Sequence, residues 1–156
     1  MLIGAAANST DVRQPLRGLS FTSGGASTGS TSSEARHFKR ITTIAELDTL
    51  LSEAKNAGKP AMLDFYADWC VYCKTLEKEI FPHPDAQKAL GDAVLIQADV
   101  TDAGSDQAKA LMKRFGVIAP PVMVFWDSQG NELKQHKIVG DVTLEDFVSK
   151  TGMAIK

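Results

Sequence analysis

The feature that most constrains this chain is an apolar strand pattern that runs directly into a pair of cysteines. Residues 61–67 are mostly apolar on both faces, which is typical of a central strand covered on both sides. Cys70 and Cys73 follow at once, and residues 74–80 have a helical pattern. The order predicts a strand, a turn and a helix, with Cys70 in the first helical turn and Cys73 one turn further on the same side.

The spacing of these two cysteines favours redox chemistry over structural cross-linking. They are the only two cysteines in 156 residues, and a bridge between them closes a loop so short that it constrains the unfolded chain little. Free N–H groups and a positive partial charge at a helix N-terminus stabilise a thiolate there. We therefore predict that Cys70 is the nucleophile and Cys73 the resolving thiol, and that exchange proceeds through a mixed disulfide on Cys70.

Two other interpretations of the cysteines stay open at this point: a structural disulfide and half of a zinc site. Zinc prefers four ligands, and the sequence contains no second CxxC. Its histidines, which do not have zinc-finger spacing, are His37, His83 and His136. His83 lies between two prolines and is more typical of a surface loop than of a ligand. The sequence therefore predicts no metal site.

An acidic residue, Asp64, interrupts the apolar strand six residues before Cys70. A buried carboxylate is costly unless it is paired or protonated, so burial should raise the pKa of Asp64. Its carboxyl group could then shuttle the proton of Cys73. Glu77 follows Cys73 by one helical turn and could approach Asp64, so that the two titrate as a pair. The alternatives are a buried Asp64 satisfied by hydroxyl or water, and a solvated Glu77.

The remaining segments alternate between helical and strand patterns. Thr43 and Glu46 form a capping-box sequence that opens a first helix. Strand patterns follow at 93–100, 122–126 and near 137–139, and helical patterns at 85–90, 106–115 and 143–150. This order predicts an α/β fold with a mixed central β-sheet and helices on both faces.

Composition divides the chain into two parts. Residues 1–37 include a stretch, 20–33, that is nearly all Ser, Thr, Gly and Ala, which predicts a flexible linker. Residues 38–156 are predicted to form one domain, and an overall hydrophobic content of 44% is enough for its core. A net charge of −2 without a basic run argues against nucleic-acid binding. No apolar stretch reaches eighteen residues, so no membrane span is predicted within this chain.

Two consecutive prolines, Pro120 and Pro121, lie directly before the strand predicted at 122–126. A proline entering a strand is often cis and rigid, although it could simply stiffen a loop. Together with the CxxC segment, these residues resemble the thioredoxin superfamily over residues 38–156. Residues 64–74 resemble its strand-into-active-site segment, residues 115–122 resemble its cis-proline segment with Pro121 at the cis position, and Gly140 fits the glycine after its last strand. The resemblance implies the thioredoxin fold.

A narrower resemblance is to the C-terminal periplasmic domain of the DsbD family of thiol:disulfide interchange proteins. It rests on residues 59–64, 66–71 and 97–101, together with Cys73, Lys74 and Glu77. In that family Asp64 and Glu77 would be the acidic pair beneath the dithiol. Residues 2–7 and 14–16 resemble the exit of the family's last transmembrane helix, which would make the chain a fragment of a larger inner-membrane protein.

That resemblance implies a protein-disulfide reductase. Electrons would pass from the transmembrane domain of the same protein, through Cys70 and Cys73, to its N-terminal periplasmic domain. No metal or organic cofactor is needed, because both electrons are carried by the Cys70–Cys73 couple, and the isolated domain is expected to be a monomer. A thiol oxidase or isomerase, and a soft-metal-binding module using the two thiols, are the alternatives.

The sequence departs from the family at two positions. Gln97 stands where many thioredoxins have a lysine near the buried aspartate, which removes a cationic partner and favours an Asp64–Glu77 pair. Pro120 precedes the cis-proline and has no N–H to give, so one backbone hydrogen bond to a substrate chain should be missing. Trp69 and Tyr72 flank Cys70 and are expected to belong to the docking surface, with ordinary packing as the alternative.

Overall fold

The computed structural model describes residues 37–155, so most of the segment predicted as a membrane-exit remnant and linker (1–37) lies outside the described residues. The elements, in chain order, are β1 Lys39–Ile41, α1 Ile44–Asn56, β2 Ala61–Tyr66, α2 Val71–Thr75, a π-helical turn Leu76–Ile80, α3 Pro84–Leu90, β3 Val94–Asp99, α4 Asp106–Phe115, β4 Val122–Trp126, a 3₁₀ turn Lys134–His136, β5 Ile138–Val139 and α5 Leu144–Ala154. No helix within this described part is long and apolar enough to cross a membrane.

The five strands form one mixed sheet in the order β1-β3-β2-β4-β5. Strands β1, β3 and β2 run parallel, whereas β4 and β5 pair antiparallel. Every residue of β2 is buried, because neighbouring strands satisfy its backbone on both edges and helices cover both of its faces. The predicted mixed α/β sheet is therefore confirmed, and the strand that leads to Cys70 is central.

The first helix begins as the sequence predicts. Thr43 is the N-cap of α1: its hydroxyl accepts from the Glu46 N–H at 3.3 Å, and the Glu46 carboxylate accepts from the Thr43 N–H at 3.1 Å. This reciprocal capping satisfies two N–H groups that the helix itself cannot pair. It fixes α1 against the sheet directly after the short strand β1.

The helix after the cysteines differs from the continuous α-helix that the sequence pattern predicts. After one turn of α2 the backbone widens into the π-helical turn Leu76–Ile80, where the Phe81 N–H donates to the Leu76 carbonyl at 2.8 Å. A π-turn accommodates one additional residue per turn and so rotates the side chains that follow it.

His83 is likewise more than a surface loop residue, because its ring accepts from the Asp85 N–H at 3.2 Å and caps α3.

The two faces of the sheet have different contents. One face packs against α1 and α4, and its buried cluster includes Leu63, Phe65, Ile96 and Ala98 from the strands. The opposite face packs against the π-turn, α3 and α5. On that face a row of three polar residues crosses the sheet in register, with Arg40 of β1 beside Gln97 of β3 and Gln97 beside Asp64 of β2.

Candidate active site

Cys70 and Cys73 form a disulfide at the start of α2, with their Cα atoms 5.3 Å apart. Cys70 is the N-cap of the helix and has extended backbone angles, so it lies one position before the first helical turn that the sequence predicted for it. Its sulfur accepts a hydrogen bond from the Cys73 N–H at 3.2 Å. An N-cap position aims the side chain at unpaired N–H groups, which is where a thiolate gains most.

The two sulfurs have different surroundings. Cys73 is completely buried, and its sulfur lies 3.7 Å from the carbonyl oxygen of Phe65 at the end of β2. Cys70 is 5% exposed in this oxidised state. The sequence expected Cys73 to be the less exposed cysteine, and the structure places it so.

Asp64 lies in the middle of β2 and is fully buried. Its Oδ2 accepts from the Gln97 amide nitrogen at 3.1 Å, while Oδ1 has no hydrogen-bond partner. Burial raises the pKa of Asp64 to about 7, and the negative charge of Glu77 adds to this rise although the Gln97 hydrogen bond opposes it. A carboxyl group in this environment exchanges its proton near neutral pH, which suits proton transfer.

Glu77 lies in the π-turn and is linked to Asp64 through the side-chain amide of Gln97. The Gln97 amide nitrogen donates to Glu77 Oε1 at 3.0 Å as well as to Asp64. One amide therefore bridges the two carboxyl groups that the sequence predicted to approach each other. Gln97 was missed as a site residue, although a buried amide in an otherwise apolar strand was the available signal.

The cationic partner that the sequence expected to be missing is supplied by a different strand. Arg40 of β1 donates from Nε to Gln97 Oε1 at 3.0 Å. Its Nη2 lies 3.7 Å from Glu77 Oε1, and its Nη1 lies 3.5 Å from Asp99 Oδ2. Gln97 itself brings no cation, as the sequence indicates, but the edge strand β1 places an arginine beside Gln97 and Glu77.

A second set of hydrogen bonds holds the segment before Cys70. The Trp69 indole N–H donates to the carbonyl of Thr101 at 3.0 Å, and the Asp68 N–H donates to the Thr101 hydroxyl at 3.0 Å. Thr101 is held in turn by Asp99, whose carboxylate accepts from its N–H and its hydroxyl. The sequence analysis includes Thr101 only in the resemblance of residues 97–101 and assigns it no role in the site.

Apolar and aromatic side chains lie exposed around the disulfide. Trp69 and Tyr72 are each 55% exposed, and Val71 between them is 73% exposed. Ile118, in the loop before β4, is 94% exposed. Large apolar side chains so open to water are typical of a contact surface.

The loop before β4 has the backbone form that the sequence indicated for Pro121. The peptide bond between Pro120 and Pro121 is cis, and both residues are buried. The Gly140 N–H donates to the Pro121 carbonyl at 2.9 Å, with Gly140 at a φ of +84° that favours glycine. Gly140 therefore ties the end of β5 to the cis-proline loop.

No group of three or more His, Cys, Asp or Glu side chains in the described range 37–155 is arranged to hold a metal ion. A mixed sheet whose central strand leads into an N-capping cysteine, with a cis-proline loop before β4, defines a thioredoxin-fold thiol–disulfide oxidoreductase. The chain belongs to the thioredoxin-like domain family, whose model matches residues 47–151.

Comparisons with individual proteins agree with this assignment. The chain is 41% identical to the thiol:disulfide interchange protein DsbD of Ralstonia nicotianae over 156 residues, which are 99% of this chain and 24% of that protein. It is 52% identical to DsbD of Cronobacter sakazakii over 112 residues, 72% of this chain and 19% of that protein. The chain thus spans a quarter or less of the length of these relatives.

A solved structure covers the same domain. The reduced C-terminal domain of DsbD from Neisseria meningitidis superposes with a TM-score of 0.63 at 29% identity, covering 72% of this chain and 97% of that domain. Its oxidised form superposes with a TM-score of 0.61 at 27% identity, covering 76% of this chain and 99% of that domain. The similarity therefore extends through nearly the whole of a DsbD C-terminal domain.

Proposed function

We propose that residues 38–156 form a protein-disulfide reductase domain, in which Cys70 is the attacking thiol and Cys73 the resolving thiol. The observation that carries this proposal is the asymmetry of the pair. The Cys70 sulfur caps a helix and accepts the Cys73 N–H, whereas Cys73 is enclosed against the Phe65 carbonyl. Hydrogen bonds and helix N–H groups favour a thiolate at Cys70, and burial favours the neutral thiol at Cys73.

The reaction moves two electrons in two exchanges. The Cys70 thiolate attacks one sulfur of a partner disulfide, which forms a mixed disulfide and releases the partner's first thiolate. Cys73 then loses its proton and attacks the Cys70 sulfur, which closes the Cys70–Cys73 disulfide and releases the partner's second thiolate. The two released thiolates take up protons, so the partner disulfide becomes a dithiol while this domain becomes oxidised.

Asp64 serves this cycle as the acceptor of the Cys73 proton, with Glu77 as its electrostatic partner. Asp64 directly precedes Phe65 in β2, and the Phe65 carbonyl oxygen lies 3.7 Å from the Cys73 sulfur. Because burial raises the Asp64 pKa to about 7, its carboxylate is basic enough to take a proton near neutral pH and acidic enough to return it. Glu77 raises that basicity through its own negative charge.

The partner docks on the apolar surface around Cys70, formed by Trp69, Val71, Tyr72 and Ile118. In the loop before β4 neither Pro120 nor Pro121 has an N–H to donate, and the Pro121 carbonyl already accepts from the Gly140 N–H. Recognition therefore depends more on apolar side-chain contact than on backbone pairing at this loop. Such contacts suit a transient partner that must leave after each exchange.

In the larger protein, this domain receives electrons from a transmembrane domain and passes them to an N-terminal periplasmic domain. Support comes from relatives named as thiol:disulfide interchange proteins, of which this chain spans 24% and 19%. Residues 1–37 would connect the domain to the membrane part, and the domain would lie in the periplasm of a bacterium. It would be a monomer when isolated, with the Cys70–Cys73 couple as its redox group.

Trapping experiments on the two cysteines test the proposal. The wild-type chain should catalyse insulin reduction by dithiothreitol, and Cys70→Ser should abolish catalysis. Cys73→Ser should instead accumulate a mixed disulfide with insulin, because attack is retained and resolution is lost. A mixed disulfide in Cys70→Ser but not in Cys73→Ser would reverse the two assigned roles.

The reduction potential of the Cys70–Cys73 couple tests the direction of electron flow. A reductant should have a reduction potential close to that of thioredoxin, about −270 mV, whereas an oxidant should have a reduction potential of about −120 mV. Equilibration with glutathione buffers, followed by alkylation and mass mapping, measures this value. A potential near the oxidant end would replace the reductase by the thiol oxidase alternative.

A further inference from the structure

The Arg40 side chain reaches three acceptors from an edge strand, although its side chain is 51% exposed. Each guanidinium nitrogen faces a different residue: Nε faces Gln97 at 3.0 Å, Nη2 faces Glu77 at 3.7 Å and Nη1 faces Asp99 at 3.5 Å. The guanidinium carbon lies 4.6 Å from the centre of the Tyr66 ring. A planar group with contacts in three directions and a ring beneath it is held in one orientation.

This orientation decides which way the Gln97 amide points. An amide group has an acceptor oxygen on one side and two N–H donors on the other. Because the Gln97 oxygen accepts from Arg40, both donors face the acids, one toward Asp64 and one toward Glu77. A half-turn of the amide would set its oxygen against two carboxyl groups and its N–H groups against the guanidinium. Arg40 therefore disfavours the rotated amide.

Arg40 also adds a fixed positive charge to a cluster of acids. Facing it are Glu77 from the π-turn, Asp99 from β3 and Tyr66 from β2, with Asp64 behind Gln97. Asp68 accepts from the Tyr66 hydroxyl, and His37 lines the same cavity of about 300 Å³ as Arg40, Glu77 and Gln97. The Glu77 side chain is 33% exposed. A nearby cation favours the ionised form of a carboxyl group.

We propose that Arg40 is a positioning residue of the active site, which orients the Gln97 amide and holds the Glu77 carboxylate, and thereby sets how tightly Asp64 binds its proton. This inference rests on the proposed function only for the use made of that proton. Arg40 does not contact the sulfurs; it acts through Gln97 and Glu77. Removing it takes away both the cation and the amide orientation, and both losses should favour protonation of Asp64.

Carboxyl ¹³C NMR titration of the oxidised full chain tests the proposal, because the cysteines do not titrate in the disulfide state. In Arg40→Gln, Asp64 should bind its proton at least about threefold more tightly than in the wild type. Arg40→Met, which still covers Tyr66, should show the same change. Arg40→Lys should fall between Arg40→Gln and the wild type, because an ammonium group keeps the charge but cannot hold the amide and Glu77 together.

Lys39→Gln is the matched control, because Lys39 neighbours Arg40 on β1 but pairs with Glu53 at 4.0 Å. Its carboxyl titration should coincide with that of the wild type. Coincidence of the wild-type and Arg40→Gln titrations would overturn the proposal, and full restoration by lysine would overturn the role given to the amide. Insulin turnover by the wild-type chain is scored separately, so a failed reductase assay beside a shifted Arg40→Gln titration refutes the function and leaves this inference standing.

Discussion

The two faces of the central sheet are built from the same strands but present different side chains. Leu63 and Phe65 of β2 point to the face that packs against α1 and α4, where the surrounding side chains are apolar. Asp64 between them points to the other face and joins Gln97 and Arg40 in one row. The alternation of a strand thus lets one sequence segment supply core packing on one side and a buried carboxyl group held by an amide on the other.

The two faces also differ in what they contribute to stability. Burying a large apolar side chain such as Leu63 or Phe65 stabilises a fold by roughly 1.5–3 kcal/mol. Burying Asp64, with Oδ1 left without a partner, costs about 1–3 kcal/mol for the unsatisfied atom alone. The polar row therefore lowers stability, and this cost is consistent with a residue kept for its chemistry.

We expect the largest loss of stability when an acid is placed on the face that packs against α1 and α4. Leu63→Asp should destabilise the domain by more than about 4 kcal/mol, because no amide or guanidinium awaits the carboxyl group there. Urea denaturation followed by circular dichroism measures the loss. Leu63→Met, which keeps volume and polarity, should cost less than about 1.5 kcal/mol. A Leu63→Asp variant as stable as Leu63→Met would show that the two faces are equivalent.

The second prediction removes the acid from the polar face and follows stability with pH. Burial raises the folded-state pKa of Asp64 from 3.8 to about 7, so the native state binds this proton more tightly than the unfolded state. The resulting stability is fully present below pH 3.8 and is lost as the pH rises through about 7. This contribution of Asp64 to the free energy of unfolding is on the order of 4 kcal/mol.

Asp64→Asn should therefore abolish most of the decline in the free energy of unfolding between these two pH values. Urea denaturation at a series of pH values gives the slopes for both chains. Asp92→Asn, at an exposed position, serves as the control and should leave the wild-type slope in place. Parallel slopes for the wild type and Asp64→Asn would mean that Asp64 is already ionised at acidic pH in the folded state.

The smallest expected effect concerns an ion pair between the helices that cover the apolar face. Arg114 of α4 contacts Asp48 of α1 at 2.7 Å, with side chains 38% and 53% exposed. Solvent screening limits such a pair to at most about 1 kcal/mol, so Asp48→Asn should lower the unfolding midpoint only slightly. A loss that persists in 1 M salt would contradict this screening argument, and Asp146→Asn is a matched exposed control.

Local sequence patterns predicted the parts of the molecule that local chemistry decides. The Thr43–Glu46 capping box and the strand before Cys70 follow from short-range spacing, and the structure contains both. The α-to-π change after Thr75 was not predicted, because apolar periodicity over five residues does not distinguish the two helical forms. Glu77 lies in this π-turn and contacts Gln97 rather than Asp64 directly.

The polar row could not be predicted because it depends on strand register. Arg40 and Gln97 are 57 residues apart in sequence, and Gln97 and Asp64 are 33 apart. Nothing in a short window indicates that β1 pairs with β3 so that Arg40 stands beside Gln97. Asp64 could be singled out because a lone acid in an apolar strand is anomalous, whereas an arginine near a chain surface is ordinary.

The register of β1 has a consequence for the edge of the sheet. This strand has three residues, and among the residues that the structure describes it pairs with β3 alone, so its backbone specifies its alignment weakly. A slip of one residue would turn Ile41 out of the core and carry Arg40 away from Gln97. The contacts of Arg40 on one face of the sheet and the burial of Ile41 on the other therefore fix the alignment of β1 with β3. An edge fixed and charged in this way is also a poor template for strand addition by another chain.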